Sequence, residues 1–369
     1  MAEADSIPDG LRNLLMHGDL SFRDFVEVAL YHPDFGYYAG TQNPVGREGD
    51  FITSPELSPA FSFALSRLVN DFVRRSGDGL CTIVDIGCGD GSLIRSLANA
   101  SSDSRARFVG VDRALDRVPL DAKRNVAFVA TIDEVPRGGA HLMLSNELFD
   151  ALPFARLVQR GKHLHELWVT DRDGHLDWSE HETSGELEGY FASRGITLTD
   201  GQFADVSPEW GALYGDICRL VDRGLVVTFD YGYPQDKLFH SRARRFGTAA
   251  AYSRHRVGRD LLANPGQQDL TAHINFDDLR RVGEGRGFST LFFERQARFL
   301  LGLGITEHEF LKPSTDLEIA DLAEGIGLLE KRDAARQLVL PDAIGHDIRV
   351  LVQGKGFGEG RWSFQRPLF

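Results

Sequence analysis

The stretch IVDIGCGDGSL at residues 83–93 decides the fold of this 369-residue chain. An apolar run with the composition of a buried strand leads into three glycines, Gly87, Gly89 and Gly91, and a helical pattern follows them. Glycine is needed where the chain turns tightly and where a ligand must lie against bare backbone. The stretch therefore predicts a strand, a ligand-binding loop and a helix, which is the opening unit of an α/β fold.

The spacing of the glycines distinguishes between two classes of ligand. A dinucleotide-binding loop has the pattern G-x-G-x-x-G and places a pyrophosphate at the helix N-terminus. Here the pattern is G-x-G-x-G, and Asp85 stands two residues before the first glycine. A carboxylate at that point would repel a pyrophosphate but suits a ligand that carries an amino group. The loop therefore favours S-adenosylmethionine, and a nicotinamide-dependent oxidoreductase stays the alternative from another enzyme class.

Outward from this loop, apolar runs alternate with helical segments. Near-continuous runs of Val, Ile, Leu and Phe suit a sheet that is covered on both faces, and the spacing of the first three suits strand–helix–strand units. The predicted strands are TIVDIG (82–87), RFVGVD (107–112), VAFVAT (126–131), HLMLSN (141–146), LVVTFD (225–230), TLFFER (290–295) and IRVLVQG (348–354).

Polar residues at the ends of the second and third strands extend the predicted cofactor site. Asp112 ends the second strand about 20 residues after the glycine loop, where an acidic residue accepts hydrogen bonds from ribose hydroxyls. Asp112 could instead cap the helical segment that follows it. Ile132 stands at the end of the third strand, where an adenine edge would be read.

The rest of the chain predicts an extension and two insertions. Residues 1–75 are expected to form an N-terminal extension that contributes to the cofactor pocket, with a helix over residues 11–30 that carries a start signal at Ser21. A second helix is expected to begin near Ser54 or Ser58. Residues 76–369 are expected to form the catalytic core. Insertions interrupt this core at about 154–223, which reads as a hairpin followed by helical and turn material, and at about 233–276.

Composition restricts the class of protein. The chain is 42% hydrophobic, has no run of membrane-spanning length and begins with an acidic, polar segment. Its net charge of −13 disfavours nucleic-acid binding, and its three cysteines form no C-x-x-C pair. No H-E-x-x-H or other compact metal-ligand pattern occurs. We therefore predict a cytoplasmic enzyme without a bound metal, a membrane span or a nucleic-acid partner; the oligomeric state stays open.

Five further stretches carry a resemblance to a known family: ALYHPDFGYY (29–38), VGREGDFITSPELS (45–58), SNELFDALP (145–153), TFDYGYP (228–234) and GTAAAYSRHRV…NPGQQDLTAHINF (247–276). With the glycine loop, they resemble the MidA-like methyltransferases, the group that includes the mitochondrial complex I assembly-factor arginine methyltransferase. The resemblance implies a class I methyltransferase with a Rossmann-like, seven-stranded α/β sheet. It also implies S-adenosyl-L-methionine as the cofactor and a protein arginine guanidinium as the best-supported methyl acceptor.

The stretch LSNELFDALP (144–153) ends the fourth strand, where class I methyltransferases present polar groups to the acceptor. An arginine guanidinium stays charged in water because its pKa is above about 12. Two carboxylates can hold it through bidentate hydrogen bonds, orient one nitrogen and receive a proton. Glu147 is the first candidate and Asp150 the second, while Asn146 would hold the acceptor or fix the loop. In the structural alternative, Asp150 caps the next helix and Glu147 pairs with an arginine.

By the resemblance, the segments HPDFGYY and GDFITSPELS line the cofactor pocket. Aromatic faces would lie near the sulfonium, and backbone N–H groups near the methionine carboxylate. The residues assigned to cofactor binding in these segments are Tyr37, Tyr38, Gly49, Thr53, Ser54 and Glu56.

Asp269 and His273 are four residues apart, so a helix would place them on one face. His273 is a candidate base for the acceptor proton, although a lone histidine is more often a hydrogen-bonded structural residue. Because a carboxylate pair also suits an amine, a small-molecule O- or N-methyltransferase stays an alternative. A non-catalytic assembly factor on the same fold is a further one.

Overall fold

The structure is a computed structural model, which describes residues 7–38, 53–115, 126–253, 256–312, 322–341, 343–357 and 360–367. The strands in these ranges are β1 (Leu20–Ser21), β2 (Cys81–Ile86), β3 (Ala106–Val111), β4 (Val126–Val129), β5 (Ala140–Asn146), β6 (Ala155–Arg160), β7 (His163–Arg172), β8 (His175–Glu182), β9 (Phe203–Val206), β10 (Gly224–Tyr233), β11 (Ala250–Ser253), β12 (Arg256–Gly258), β13 (Asp269–Thr271), β14 (Ile274–Asn275), β15 (Ser289–Arg295) and β16 (Ile348–Lys355).

The α-helices in the same ranges are α1 (Asp9–Leu15), α2 (Phe22–Tyr31), α3 (Ser54–Leu57), α4 (Pro59–Arg75), α5 (Ser92–Ala100), α6 (Gly185–Arg194), α7 (Pro208–Arg219), α8 (Gln235–Leu238), α9 (Phe276–Gly285), α10 (Gln296–Leu303), α11 (Leu322–Gln337) and α12 (Ile344–Asp347). Short 3-10 turns occur at Ile132–Glu134, Ile305–Glu307 and Ser363–Gln365.

The largest sheet has the strand order β15-β16-β10-β5-β2-β3-β4, and β14 pairs with the end of β10. Strands β10, β5, β2, β3 and β4 pair in parallel, whereas β15 and β16 are antiparallel. Every residue of β2 is buried, as expected for a central strand that is covered on both faces. The seven strands of this path are the seven that the sequence predicts, with ends that differ by a few residues.

The chain divides into two compact units. One consists of Ile52–Leu148, Tyr214–Asp230 and Arg280–Phe369 and is called the core unit here. The other, called the insert unit, consists of Met1–Phe51, Phe149–Leu213 and Tyr231–Leu279. The predicted division into residues 1–75 and 76–369 concerns domains and stays a prediction.

In the core unit, α4 packs its apolar face inward. Ser58 caps this helix by accepting a hydrogen bond from the N–H of Ala60 at 3.3 Å. The buried Phe61 meets Phe229 of β10 edge to face at 5.4 Å, and Phe229 meets Phe299 of α10 in the same way. The predicted helix start near Ser54 or Ser58 is confirmed, because α3 begins at the first and α4 directly after the second.

The insert unit contains two smaller sheets. One has the order β1-β7-β6-β9 with β8 beside β7, so the predicted hairpin after residue 154 is confirmed. The other is β12-β11-β13. Ser21 caps α2 as predicted, with its hydroxyl accepting from the N–H of Asp24 at 3.1 Å. The single helix predicted over 11–30 is wrong: α1 ends at Leu15, and Gly18 at φ +141° lies between α1 and α2.

In the part of the chain that the structure describes, no helix combines the length and the apolar character needed to cross a bilayer. The three cysteines, Cys81, Cys88 and Cys218, are buried as free thiols.

Candidate active site

The glycine loop after β2 adopts a backbone that other residues avoid. Gly87, Gly89 and Gly91 have φ angles of +72°, +55° and +76°. A Cβ at Gly87 would meet Leu148 at 2.8 Å, and one at Gly91 would meet the Phe128 ring at 2.6 Å. A Cβ at Gly89 would meet nothing within 4 Å. Two of the glycines thus permit close packing, and the middle one presents bare backbone to open space.

Two acidic residues flank this loop in the core unit. Asp112, directly after β3, accepts hydrogen bonds from the N–H groups of Gly89 and Ala114, each at 2.9 Å. Asp85, near the end of β2, is only 3% exposed. Burial, with the nearby charges of Asp112 and Asp90, raises the pKa of Asp85 to about 7. The loop therefore lies beside carboxylates that a bound cation would stabilise in their charged form.

Glu147 follows the last residue of β5 in a strained conformation. Its φ angle is +50°, which an L-residue with a side chain rarely adopts. Its Oε1 accepts hydrogen bonds from the N–H of Ser54 at 3.3 Å and from the Asn146 amide at 3.0 Å. Its own N–H donates to the Phe229 carbonyl at 2.8 Å. The backbone thus fixes Glu147 from both sides, while no described residue donates a hydrogen bond to its Oε2.

The environment of Glu147 favours the protonated acid. Desolvation by burial raises its pKa to about 8 against the hydrogen bonds from Asn146 and Ser54, and the charges of Asp230 and Glu56 act in the same direction as burial. For Glu56, burial and the charge of Asp90 raise the pKa to about 7. The end of β5 and the start of α3 therefore hold a set of carboxylates that repel one another.

Gln296 supports this arrangement and was missed by the sequence analysis. The Ser54 hydroxyl is fully buried and exchanges two hydrogen bonds with the Gln296 amide, at 3.2 and 3.0 Å. Gln296 begins α10, 242 residues after Ser54. It thereby fixes the residue whose N–H holds Glu147. A buried glutamine at a helix start gives no local signal, so only the folded contact identifies it.

Two buried acceptor atoms in this region have no hydrogen-bond partner among the described residues: Asn146 Oδ1 and Glu56 Oε2. A buried acceptor without a donor costs free energy, so such atoms point to a ligand that donates. S-adenosylmethionine carries donors in its amino and ribose groups and a positive charge on its sulfur. The acceptors, the carboxylates and the open backbone at Gly89 fit such a ligand.

The insert unit holds the predicted aromatic residues. The Tyr38 hydroxyl donates to Asp269 Oδ1 at 3.1 Å, and its ring stacks on Tyr31 at 5.5 Å. Burial, followed by the charge of Asp269, raises the pKa of Tyr38 well above its usual value. Tyr37 is buried and packs edge to face against Tyr38. Tyr38 is therefore a neutral donor at physiological pH.

His273 does not lie on a helix with Asp269, so that prediction is wrong. Asp269 belongs to β13, where it pairs with Tyr252 of β11, and His273 lies between β13 and β14. The ring of His273 lies near those of Tyr231 and Tyr233, at 6.2 and 5.4 Å. A spacing of four residues fits a helix but also occurs in an extended chain. Here the pairing of β13 with β11 keeps the segment extended.

The His273 imidazole is neutral near physiological pH. Burial and the charge of Arg244 lower its pKa to about 4. Its Nδ1 is buried without a partner among the described residues, whereas its backbone N–H donates to the Thr248 hydroxyl at 3.2 Å. Asp205 holds the backbone N–H of Thr248 at 2.5 Å. His273 is thus a positioned, weakly basic side chain.

The predicted site residues divide between the two units. The core unit contains Asp85, Gly87, Gly89, Gly91, Asp112, Ile132, Thr53, Ser54, Glu56, Asn146 and Glu147, and the insert unit contains Tyr37, Tyr38, Asp150 and His273. Gly49 lies outside the described residues. Within the core unit, the carboxylates that act on the pKa of Glu147 are Asp230 and Glu56, so the predicted pairing of Glu147 with Asp150 stays a prediction.

Comparison with known proteins identifies the chemistry. Residues 64–293 match a family model described as "Putative S-adenosyl-L-methionine-dependent methyltransferase". Among curated proteins, the chain is 27% identical over 335 residues to "Protein arginine methyltransferase NDUFAF7 homolog, mitochondrial" of Caenorhabditis elegans, which covers 79% of this chain and 74% of that protein. It is 25% identical over 351 residues to the Bos taurus "Protein arginine methyltransferase NDUFAF7, mitochondrial". This alignment covers 82% of this chain and 75% of the Bos taurus protein.

A solved structure agrees with these matches. The crystal structure of a Burkholderia thailandensis protein bound to S-adenosyl-homocysteine superposes with a TM-score of 0.81. It is 27% identical in sequence and covers 96% of this chain and 93% of that chain. The predicted α/β methyltransferase fold and the predicted S-adenosyl-L-methionine cofactor are confirmed by these comparisons.

The predicted cytoplasmic location is wrong by the same comparison, because the curated relatives are named as mitochondrial proteins. Acidic composition could not have shown this, since net charge bears on solubility rather than on location. The predicted absence of a nucleic-acid partner stays a prediction.

Proposed function

This chain belongs to the S-adenosyl-L-methionine-dependent methyltransferase family that its residues 64–293 match, and we propose that its methyl acceptor is a guanidinium nitrogen of a protein arginine. The observation that carries the proposal is the geometry of Glu147. One carboxylate oxygen is held by two protein donors, and the other receives no hydrogen bond from a described residue. The carboxylate is thus fixed in position and still able to accept hydrogen bonds from a ligand.

The electrostatics of the core unit favour a cationic acceptor. Glu147 has its pKa raised to about 8 and Glu56 to about 7, because both are desolvated and lie near other acids. A guanidinium beside them would lower both pKa values by charge attraction and would be held by charge-assisted hydrogen bonds. A neutral acceptor would not lower these pKa values, and Glu147 would stay mainly protonated near neutral pH. The proposed clamp therefore uses Glu147 with Glu56 as its neighbour in the same unit.

The residues around the glycine loop are proposed to hold the cofactor. Asp85 suits its ammonium group and Asp112 its ribose hydroxyls, while Gly89 leaves the backbone open. When bound, S-adenosyl-L-methionine supplies a methyl group on a positively charged sulfur.

Glu147 then has two tasks. As a carboxylate it orients one guanidinium nitrogen, and it accepts the proton that this nitrogen loses when the new C–N bond forms. The step would balance because the C–S bond breaks as the C–N bond forms and its electron pair stays on the sulfur, which loses its positive charge. The methylated guanidinium keeps one positive charge, and the released proton neutralises Glu147. The bound guanidinium lowers the pKa of Glu147 from about 8, so that Glu147 is ionised when the acceptor is in place, can accept the proton and can return it to solvent afterwards.

The names of the curated relatives support a protein acceptor, since they are called protein arginine methyltransferases at 22–27% identity.

The test uses tritiated-methyl S-adenosyl-L-methionine, the purified protein and an extract from a strain that lacks it. We expect label in a discrete protein band, on a residue that mass spectrometry identifies as methylarginine. Glu147→Gln should abolish the label but keep S-adenosyl-homocysteine binding, because the glycine loop is unchanged.

The matched control is Glu166→Gln. Glu166 is a buried glutamate whose pKa is likewise raised by burial, and it belongs to β7, which contributes no residue to the proposed site. Its variant should label the same band as the wild type. Label confined to small molecules, or to residues other than arginine, would contradict the proposed acceptor while leaving the family assignment intact.

A further inference from the structure

The core unit has a charged cavity along the C-terminal half of α4. Its volume is about 460 Å³, and its lining includes Arg67, Arg74 and Arg75 from α4 and Arg361 and Arg366 from the C-terminal segment. Asp71 is the acidic residue among the lining side chains. Five guanidinium groups thus surround a cavity with one carboxylate, in a chain whose net charge is −13.

The carboxylate is already used by its neighbours. Asp71 is buried and accepts hydrogen bonds from Arg74 at 2.5 Å, from Arg75 at 2.9 Å and from the N–H of Ser363 at 3.1 Å. Burial raises the pKa of Asp71, but Arg75 and Ser363 outweigh that effect and hold the pKa below its usual value. Asp71 is therefore ionised, and its charge is shared by two arginines.

Other contacts fix part of the arginine set in place. The Arg75 guanidinium lies over the Trp362 ring at 4.5 Å and donates to the Arg361 carbonyl at 2.7 Å. Arg67 pairs with Glu307 at 2.7 Å. By contrast, Arg361 and Arg366 accept hydrogen bonds through their backbone carbonyls, and the Arg366 guanidinium acts on Glu307 by charge alone.

From this arrangement we propose that the cavity binds a small anion with two or more phosphate groups. Guanidinium groups stay charged at any physiological pH, so the cavity cannot lose its positive charge by titration. Their planar donor geometry matches phosphate oxygens through paired hydrogen bonds. The volume exceeds that of a single phosphate and lies within the usual range for small-molecule sites. The proposal is independent of the methyl acceptor.

The cavity lies along the second half of α4, whereas the methyl-transfer residues lie near the start of that helix. Ser54 precedes Pro59, the first residue of α4, and the lining residues of α4 run from Arg67 to Arg75. With a rise of about 1.5 Å per residue, they lie about 12 to 24 Å along the helix from Pro59. A ligand in the cavity therefore occupies a site separate from the cofactor loop. The net charge of −13 argues against a duplex nucleic acid as that ligand.

Isothermal titration calorimetry with tripolyphosphate tests the proposal, in a phosphate-free buffer at about 100 mM salt so that distant charges are screened. We expect saturable binding to the wild-type protein. The double variant Arg361→Gln, Arg366→Gln should lose affinity by about tenfold or more, because it removes two of the guanidinium groups that line the cavity. No side-chain hydrogen bond or close ion pair among the described residues is lost with these two side chains, and the charge of Arg366 acts only weakly on the exposed Glu307, so the variant should unfold within about 2 °C of the wild-type temperature.

The control variant is Arg336→Gln, which removes an exposed arginine of α11 that pairs with Asp333 outside the cavity. It should change the affinity less than about twofold. A parallel titration with ATP separates two sources of the phosphate groups: tighter binding than tripolyphosphate assigns a nucleotide, and equal binding a free polyphosphate. Absence of saturable binding, an unaffected double variant, or tighter binding of a hexaglutamate peptide would overturn the proposal.

Discussion

Glu147 and Asp71 are both carboxylates in charged clusters of the core unit, yet their surroundings act on them in opposite directions. Burial and neighbouring acids raise the pKa of Glu147 to about 8, whereas Arg75 and Ser363 hold the pKa of Asp71 below its usual value. The acidic cluster at Glu147 can lose its charge by taking up protons, whereas the arginine-lined cavity at Asp71 cannot, because arginine stays protonated. A cluster of acids can therefore be protonated and neutral until a cation binds, whereas a cluster of arginines stays positively charged.

The largest expected effect is on the rate of methyl transfer, which should fall when Glu147 is replaced but not when Asp71 is replaced. Glu147→Gln should reduce methyl transfer by about 10²- to 10⁴-fold, the usual contribution of a proton acceptor in the transition state. Asp71→Asn should leave the rate at saturating substrate unchanged, because Asp71 contacts arginines that line the cavity along α4. Initial rates with labelled cofactor measure both. An equal loss of rate in the two variants would show that both substitutions act by destabilising the fold.

The next effect concerns the cofactor loop. Gly89→Val should weaken S-adenosyl-homocysteine binding by about tenfold or more, since the new side chain enters open space beside the loop and adds left-handed backbone strain of about 1–2 kcal/mol. Titration calorimetry measures the affinity. The variant should still bind tripolyphosphate like the wild type, which would show that the cofactor loop and the arginine-lined cavity bind their ligands independently.

A matched glycine controls for backbone strain in that experiment. Gly161 has φ +56°, close to the +55° of Gly89, and a Cβ there also meets nothing within 4 Å. It lies in the turn between β6 and β7. Gly161→Val should lower stability similarly and leave cofactor binding unchanged. Loss of binding in both variants would mean that strain, and not the loop, is responsible.

A smaller effect is expected from Gln296→Leu. Without the Gln296 amide, the Ser54 backbone is less well fixed, and its N–H supports the ionised form of Glu147 less well. The rate should fall several-fold, by about 3- to 10-fold, and the acidic limb of the pH–rate profile should move to higher pH.

Gln353→Leu is the control for Gln296→Leu. Gln353 is an equally buried glutamine, hydrogen-bonded to Tyr214 at 2.8 Å, and it lies on β16. A similar stability loss without a pH shift is expected. A pH profile that stays fixed in Gln296→Leu would remove Gln296 from its positioning role.

Stability should depend on pH with opposite signs at the two carboxylates. A folded-state pKa above the unfolded value of 4.5 means that folded Glu147 binds more protons, so stability falls as pH rises from about 5 to 8. For Asp71 the folded pKa is lowered, so its contribution is present above about pH 4 and is lost as pH falls through the folded pKa.

Thermal unfolding of the wild type, Glu147→Gln and Asp71→Asn between pH 3 and 8 measures these slopes. Glu147→Gln should flatten the decline toward pH 8, by about 1 kcal/mol or more, and Asp71→Asn should flatten the decline toward acid pH. Identical pH curves in wild type and Glu147→Gln would contradict the raised pKa.

The smallest effect is expected at His273. Because its pKa is lowered to about 4, its protonation state should not change between pH 5.5 and 8. His273→Gln should therefore leave the shape of the pH–rate profile over that range unchanged. If one limb of the pH–rate profile disappeared in His273→Gln, His273 and not Glu147 would be the proton acceptor.

The parts of this fold that the sequence predicts correctly are those with local physical causes. The strands of the main sheet follow from continuous apolar runs, and the Ser21 cap follows from one side chain and the N–H three residues on. The Asp269–His273 helix was wrong because β13 pairs with β11, whose sequence is remote from the four-residue spacing.

The residues that the sequence analysis missed are those whose roles depend on distant contacts. Gln296 reaches Ser54 across 242 residues, and the arginine cavity joins the end of α4 to the C-terminal segment. Glu147 itself was predicted, since an acid at the end of a buried strand needs a partner. Its left-handed backbone and raised pKa could not be, because both arise from the folded surroundings.

The bond between Ser54 and Gln296 has a consequence for the order in which the protein forms during synthesis. Strands β2 to β5 and the glycine loop are complete once residue 147 has been made, but α10 begins only at residue 296. Contacts between distant segments form late, because a long loop must first close. A nascent chain would thus contain the cofactor loop before it had the support for Glu147. The full rate of methyl transfer should therefore appear only once translation has reached the last fifth of the chain.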